Sequence, residues 1–503
     1  MSRLSNAALP LASGAVQRPA YDRSAVTPGI VHLGIGAFHR AHQAVMVDDR
    51  LAAGEMDWGI IGASLRSAET AAALNPQDGL YTIGVRSGEQ TDLRVIGAIA
   101  EVLVATTARA ALIAAMSDPK IRIVSLTVTE KGYCHDPARG ELDETNAGIR
   151  HDLANPDAPE TAPGLIVAAL ARRRAAGIAP FTVLTCDNLP ANGQTVHRVL
   201  SRLGALIDPA LGAYIAGEVA CPATMVDRIV PATTDQDRAL VAAALGVEDA
   251  WPVMTEPFSQ WVIEDRFPTG RPAFEAAGAE LVTDVARYET MKLRLLNGTH
   301  STMAYLGQLA GLETVCDAIS HPAMARFIRA LMDEEIGPTV KGFGARDLDA
   351  YKDALIARYG NSALRHRTAQ IAMDGSQKVP QRLLNTIRDR LAAGQPIDRL
   401  ALALAGFLRF MAGTGEDGAS LPVNDPRAQA FAAAAERAGA TGIARRGADD
   451  AAGLAARLAG EMLGIREVFG DLGTERRLFD AVAPALARLY ASGARATLAA
   501  QGT

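Results

Sequence analysis

The 503-residue chain carries 50 lysines and arginines against 56 aspartates and glutamates, a net charge of −6, with 49% apolar and 21% charged residues. At ~100–200 residues per domain this length holds two or three domains with real cores, and the composition excludes wholesale disorder. With no block of like charge and no uninterrupted apolar run of membrane length, neither nucleic acid nor a membrane is an expected partner. Four dispersed cysteines, Cys134, Cys186, Cys221 and Cys316, fit a reducing cytoplasm better than a disulfide framework or a structural zinc site.

In chain order, short β-branched runs at residues 30–33, 59–61, 121–128 and 181–185 have the texture of strands buried on both faces of a parallel sheet. Helical stretches at 108–116 and 165–175 lie between them, so strand and helix alternate as a doubly wound sheet requires. The runs 81–85 and 93–96, around Arg86-Ser87-Gly88, read as an antiparallel hairpin added to that sheet. From about Tyr288 the strand texture disappears, and alanine, leucine, arginine and glutamate recur at three- and four-residue spacing. The predicted fold is therefore an α/β domain with a Rossmann-like doubly wound sheet, residues 1–287, followed by a mostly α-helical domain, residues 288–503.

After the first strand the chain reads Gly34-Ile35-Gly36-Ala37-Phe38-His39-Arg40-Ala41-His42-Gln43. Gly34 suits a tight turn, Gly36 lets backbone approach a phosphate, and the following helix supplies unpaired N–H groups, the parts a dinucleotide pyrophosphate needs. His39 occupies the place of the usual third glycine, and an ordinary strand-to-helix turn would share the spacing. His39 and His42 stand three apart, but no nearby acid or cysteine completes a metal set. Past the second strand the residue positioned for the ribose is Arg66, which suits a 2′-phosphate and leaves NAD against NADP open.

The segment from Tyr288 to His300 opens the helical half. On a wheel of about 100° per residue with Lys292 at zero, Glu289 falls at roughly 60°, His300 at roughly 80° and Asn297 at roughly 140°. Leu293 and Leu296 lie among them, which puts the polar face at the edge of a core. Desolvation there would ready the Lys292 amine to take a proton from an alcohol, Asn297 would donate to the developing alkoxide, and His300 would fix a neighbouring hydroxyl. A solvated helix stripe or a hydrogen-bond cluster would carry the same residue types.

The motifs at Gly34–Gln43, Thr127-Val128-Thr129-Glu130-Lys131-Gly132-Tyr133, Cys186-Asp187-Asn188-Leu189, Met225-Val226-Asp227-Arg228, Glu256-Pro257-Phe258 and Lys292-x-x-x-x-Asn297-x-x-His300 together resemble the polyol-specific long-chain dehydrogenases, the mannitol dehydrogenase family. The resemblance runs from about residue 20 to near the C-terminus. The stretch Arg365 to Arg382, with Gln370 where mannitol dehydrogenases usually carry arginine, looks like the branch that reduces uronates.

It implies metal-independent, NAD-dependent, reversible reduction of D-fructuronate to D-mannonate, with Lys292 as general base and acid. Asn188 and Asn297 would form the oxyanion hole, His300 would hold substrate, and Glu289 would link the lysine to bulk water. Gly34, Ile35, Gly36, Ala37, Phe38, His39, Arg66, Thr127, Glu130 and Asp227 would serve the cofactor, an ion pair with Arg228 or Lys131 being the structural alternative for Asp227. Asn188, Lys292 and His300 would also bind substrate, and Arg365, Arg367 and Lys378 are the candidates to meet its carboxylate. The expected state is a cytoplasmic monomer or small homo-oligomer. A mannitol or arabinitol 2-dehydrogenase and a nucleotide-sensing protein without catalysis are the alternatives.

Overall fold

The β-branched runs of the first half form a parallel sheet in the computed structural model, which describes residues 1–136 and 139–502. Along the first unit, Met1–Ala286, the strands are β1 (Pro28–Leu33), β2 (Gly59–Ser64), β3 (Tyr81–Ser87), β4 (Gln90–Ile96), β5 (Ile99–Val104), β6 (Ile123–Leu126), a short pair β7 (His135–Asp136) and β8 (Glu141–Leu142), then β9 (Thr182–Thr185), β10 (Thr224–Asp227), β11 (Val253–Thr255), β12 (Gln260–Glu264) and β13 (Glu280–Val282). Strands β5, β2, β1, β6 and β9 lie side by side in that order, each parallel to its neighbours.

Successive side chains alternate between the two faces. Val31, Leu33, Val124, Leu126 and Val183 pack with the helices Ala162–Ala175 and Asn192–Ile207, while Ile30, Ile123 and Leu184 pack with Ala44, Val47 and Leu51 of the helix Gln43–Ala52. Both faces are covered, which is why these strands read as continuous apolar runs. The chain leaves β1 for β2 on one side and later returns to β6 on the other. The carboxyl ends of β1 and β6 therefore flank the point where strand order reverses, the place where such sheets hold ligands.

The hairpin is where the sequence reading needs correcting. β3 and β4 do pair antiparallel, from Tyr81↔Ile96 to Ser87↔Gln90, but they form a separate three-stranded sheet with β11, which runs parallel to β3. The edge beside β2 is taken instead by β5, in which Glu101 is exposed and Val102 buried. A third sheet joins β10 antiparallel to β12 and β12 parallel to β13.

In the second unit, Arg287–Thr503, the elements formed by the described residues are all helices, joined by loops. The unit's axis is the helix Asp398–Met411, buried continuously from Leu400 to Met411 and packed against Gly298–Leu309, Ala428–Ala438 and Arg476–Ala499. A helix apolar on all sides belongs inside a bundle. The fully buried Arg409 is tolerated because its guanidinium donates to the carbonyls of Thr414, Ile443 and Ala444 and lies 4.3 Å from the Tyr490 ring. Three helices of this unit widen into π-turns, at Lys292–Asn297, Leu331–Ile336 and Pro380–Leu384.

Candidate active site

In the first unit, Gly34 ends β1 with φ +91°, and a Cβ there would sit 2.2 Å from the Thr127 carbonyl oxygen, so only glycine fits this turn. The next side chain, Ile35, is buried over β2, where the missing Cβ of Gly62 makes room for its Cδ1. Gly36 is different. It has φ −91°, is exposed, and a Cβ on it would meet nothing nearer than the Gly34 carbonyl oxygen at 3.8 Å. The short helix Ala37–Ala41 follows, its first intrahelical bond running from the Arg40 N–H to the Gly36 carbonyl at 3.3 Å. The N–H groups of Ala37, Phe38 and His39 precede that bond and have no intrahelical acceptor. An open side over Gly36 and a row of such donors fit a pyrophosphate.

His39, in the place of the third glycine, turns inward and is 1% exposed. Its ring stacks on that of His32 in β1, with centroids 3.4 Å apart and planes 12° from parallel. The close helix-to-strand packing that a third glycine allows is reached here by two flat rings. His39 thus presents its backbone, rather than its imidazole, to the outer side of the turn.

Beneath it, His32 joins β1 to β6. Thr127 Oγ1 donates to the Gly34 carbonyl at 2.8 Å and so accepts from His32 Nε2–H, also at 2.8 Å. His32 Nδ1 is then left to accept from the Ser125 hydroxyl at 2.8 Å. This directed chain fixes the Gly34 turn, and it requires His32 to be neutral. Burial pushes His32 down to about 3, and burial with the neighbouring His32 holds His39 well below the ordinary histidine range.

Histidines neutral when folded bind protons only on unfolding, so this stability is present above about pH 6.5 and is lost as pH falls toward 3. His32 alone should lose roughly 2 kcal/mol by pH 5, and His39 and His300 act in the same direction. The carboxyl groups of Asp187, Asp249 and Glu335, raised by desolvation, act in the opposite sense, with Asp187 recovering roughly 1 kcal/mol by pH 5. The melting temperature should therefore fall between pH 7.5 and 5. A level or rising value by circular dichroism would contradict neutral buried imidazoles.

In the second unit, Lys292, Asn297 and His300 are 6%, 8% and 6% exposed. The wheel at 100° per residue does not describe them, because Lys292–Asn297 is a π-turn: the Gly298 N–H reaches back five residues to the Leu293 carbonyl. Residues five apart then share a face, so Lys292 and Asn297 come onto one side of the helix instead of lying roughly 140° apart. Carbonyls displaced by the wider turn find hydroxyls: Thr299 Oγ1 donates to Leu295 at 2.5 Å and Tyr359 to Leu296 at 3.1 Å. Gly298 permits the π-turn Pro380–Leu384 to approach, since a Cβ there would stand 2.8 Å from the Arg382 carbonyl oxygen.

His300 Nε2 is buried without a hydrogen-bond partner. Its ring lies 5.0 Å from Tyr359 and edge-on to His366 at 5.3 Å. Burial, then the charges of His366, Arg382 and Arg358, hold His300 well below the ordinary histidine range. The groups acting on this imidazole are all basic, and Arg382 is also anchored, donating to Ser301 at 3.1 Å. Sequence reading passed over Arg358, Tyr359, His366 and Arg382.

The remaining candidates fall as follows. Glu289 is half-buried on the helix Ala286–Met291. Arg66 is exposed two residues past β2, Glu130 is exposed at the start of the 3₁₀ turn Glu130–Tyr133, and Asn188 is exposed three residues past β9. Asp227 is buried at the end of β10, in the third sheet rather than the parallel one. Arg365 and Arg367 are exposed. Lys378 is half-buried, its amine donating to the carbonyls of Met373 at 2.6 Å and Ile371 at 3.4 Å. Among the described residues no group of three or more His, Cys, Asp and Glu side chains is placed to hold a metal ion, and no helix is long and apolar enough to cross a membrane.

Residues 28–276 match the family model of the mannitol dehydrogenase Rossmann domain, and residues 284–490 that of the mannitol dehydrogenase C-terminal domain. The uncharacterized oxidoreductase YdfI of Escherichia coli (strain K12) is 44% identical over 492 residues, 97% of this chain and 98% of its own length. D-mannonate oxidoreductase of the same organism is 46% identical over 420 residues, 83% of this chain and 86% of its own. The solved mannitol 2-dehydrogenase of Pseudomonas fluorescens, a ternary complex with NAD and D-mannitol, superposes with a TM-score of 0.86 at 37% identity, covering 99% of both chains.

Proposed function

The chain belongs to the mannitol dehydrogenase family, and we propose that it is an NAD-dependent oxidoreductase that reversibly reduces D-fructuronate to D-mannonate, with Lys292 as general acid and base. The observation that carries the chemistry is the π-turn, which aligns the buried Lys292 and Asn297 at the entry of the helix bearing His300. When bound, the nicotinamide cofactor would supply the hydride for reduction and take it up in oxidation. In reduction the Lys292 ammonium gives its proton to the oxygen of the reacting ketone; in oxidation its amine takes the hydroxyl proton. Asn297 donates an amide N–H to the developing oxyanion, and Asn188 is assigned the same role. His300, neutral, orients a substrate hydroxyl, and Glu289 exchanges the lysine's proton with water.

The basic surroundings of His300 support an acidic substrate. A carboxylate gains there from Arg382 and Arg358, whereas a hydroxyl at the same place gains little. D-mannonate oxidoreductase, among the relatives, points the same way. The test is an NADH-oxidation panel over fructuronate, tagaturonate, fructose and fructose 6-phosphate. Fructuronate should give the highest kcat/KM, and preference for fructose would replace this reading with that of a polyol 2-dehydrogenase. One observation favours that second reading: Arg365 and Arg367, two of the cations expected to meet a carboxylate, are exposed.

The two glycines of the turn separate the cofactor's needs from the fold's. Gly34→Ala should destabilise the protein by about 1–3 kcal/mol from its positive φ alone, with the overlap on Thr127 adding to it. Gly36→Ala should leave the melting temperature unchanged, because the added methyl meets nothing, yet weaken NAD binding by ~10-fold or more by filling the space a pyrophosphate approaches. Calorimetric titration beside thermal unfolding checks both. Undiminished NAD binding in Gly36→Ala would remove the dinucleotide from this turn.

A further inference from the structure

Asp187 takes no part in the chemistry just described, yet it is half-buried and accepts three hydrogen bonds from the chain leaving β6. Its Oδ2 accepts from the Val128 N–H at 2.8 Å and the Tyr133 hydroxyl at 2.7 Å, and its Oδ1 from the Thr129 N–H at 3.3 Å. A carboxylate only accepts, so Tyr133 spends its proton on Asp187 and receives the Thr185 hydroxyl at 2.6 Å. The loop so held is strained. Thr129 has φ +65° and ψ +164°, a region that is nearly glycine's alone, and Cys134 at the far end has φ +51°. Such conformations persist where the surroundings over-determine them, and they cluster at binding sites.

This loop is also the wall of the Gly34 turn: the Thr127 carbonyl fills the space a Gly34 side chain would need, and its hydroxyl holds the Gly34 carbonyl. We propose that Asp187 is a positioning residue that holds the strained segment Thr127–Tyr133 in its dinucleotide-binding shape, an inference that rests on NAD being the ligand of the Gly34 turn. Asn188 follows it directly, and Asn192 donates to the Asp187 backbone carbonyl at 3.1 Å, so the segment after β9 is fixed by the same residue.

Burial, aided by the nearby charge of Glu130, raises Asp187 to about 6, while the Tyr133 hydroxyl and the Val128 and Thr129 N–H groups oppose that rise. The other titratable neighbours, Tyr133 and Cys186, are held well above their ordinary values and stay protonated at neutral pH. At pH 7 and above Asp187 is therefore mostly the carboxylate, the form that accepts all three donors.

Calorimetric titration with NAD at pH 7.5, beside steady-state kinetics, tests this on the wild type, Asp187→Asn and Tyr133→Phe. Asp187→Asn exchanges an acceptor oxygen for an N–H donor and should weaken NAD binding and raise the KM for NAD by about ten-fold or more, with kcat at saturating NAD within a few-fold of the wild type, a split that general loosening of the fold would not produce. Tyr133→Phe removes one of the three donors and should act in the same way by a smaller factor. If Asp187→Asn does not fold, Tyr133→Phe decides. Wild-type affinity in Asp187→Asn, a kcat that falls as far as the affinity, or unchanged affinity in Tyr133→Phe would overturn the role of Asp187. Absence of NAD binding by the wild type would instead overturn the dinucleotide reading beneath it.

Discussion

Lys292→Ala is expected to fold, to bind NAD as the wild type does, and to lose turnover by ~10³-fold or more, since general acid–base assistance contributes ~10²–10⁴ and the neighbouring oxyanion donor loses its partner charge. Alanine is the best helix former, so the helical segment should survive the change, and thermal unfolding will check that it does. In the wild type, oxidation should rise with pH through one ionisation that the variant lacks. Because the lysine's main contribution is to proton transfer in the transition state, kcat should fall along with kcat/KM. Retention of more than about a tenth of wild-type kcat would show that another group moves the proton.

Much of the fold was legible because its signals are local. Runs such as Ile30-Val31-His32-Leu33 and Thr182-Val183-Leu184-Thr185 are β-branched and continuous, as strands covered on both faces must be. The sheet that pairs β3 with β11 was not legible, because it joins Ile83 to Val253 across most of the unit and no short-range pattern announces such a partner. β5 was lost for the opposite reason. It is an edge strand of the parallel sheet that begins only two residues after β4, so in the sequence the two apolar runs merge.

The site was legible as residue types and not as geometry. Lys292, Asn297 and His300 stand out by spacing, but an α-helix and a π-turn are written in the same residues; what selects the wider turn is Tyr359, whose hydroxyl reaches a carbonyl far away in sequence. His32 reads as one more strand residue until β6 brings Ser125 and Thr127 beside it. Asp187 stood inside a motif already noted for Asn188, and its three donors come from a segment about sixty residues earlier. In each case the missing information is a long-range hydrogen bond, satisfied only once the strands are in register.

Lys378→Met should lower kcat/KM for fructuronate by ~10²-fold while fructose reduction, weak to begin with, changes little, because removing one partner of a desolvated charge pair costs ~2–5 kcal/mol. The amine is held by the carbonyls of Met373 and Ile371, so its charge has a fixed address rather than a long flexible reach. That charge is felt by His366, whose ring packs edge-on against His300. Arg358 and Arg382 thus act on the imidazole assigned to hold substrate and Lys378 on the His366 ring beside it, and a carboxylate bound there would be met by a prepared field. Arg365→Ala and Arg367→Ala, at exposed positions, should cost no more than a few-fold, since screened surface charges contribute only ~0–1 kcal/mol. The competing account is that Lys378 serves only to tie down the carbonyl end of the helix Thr368–Ala372. In that case Lys378→Met would lower the melting temperature and reduce fructuronate and fructose turnover by the same factor, and recognition of a uronate carboxylate would pass to Arg382 and Arg358 or fail altogether.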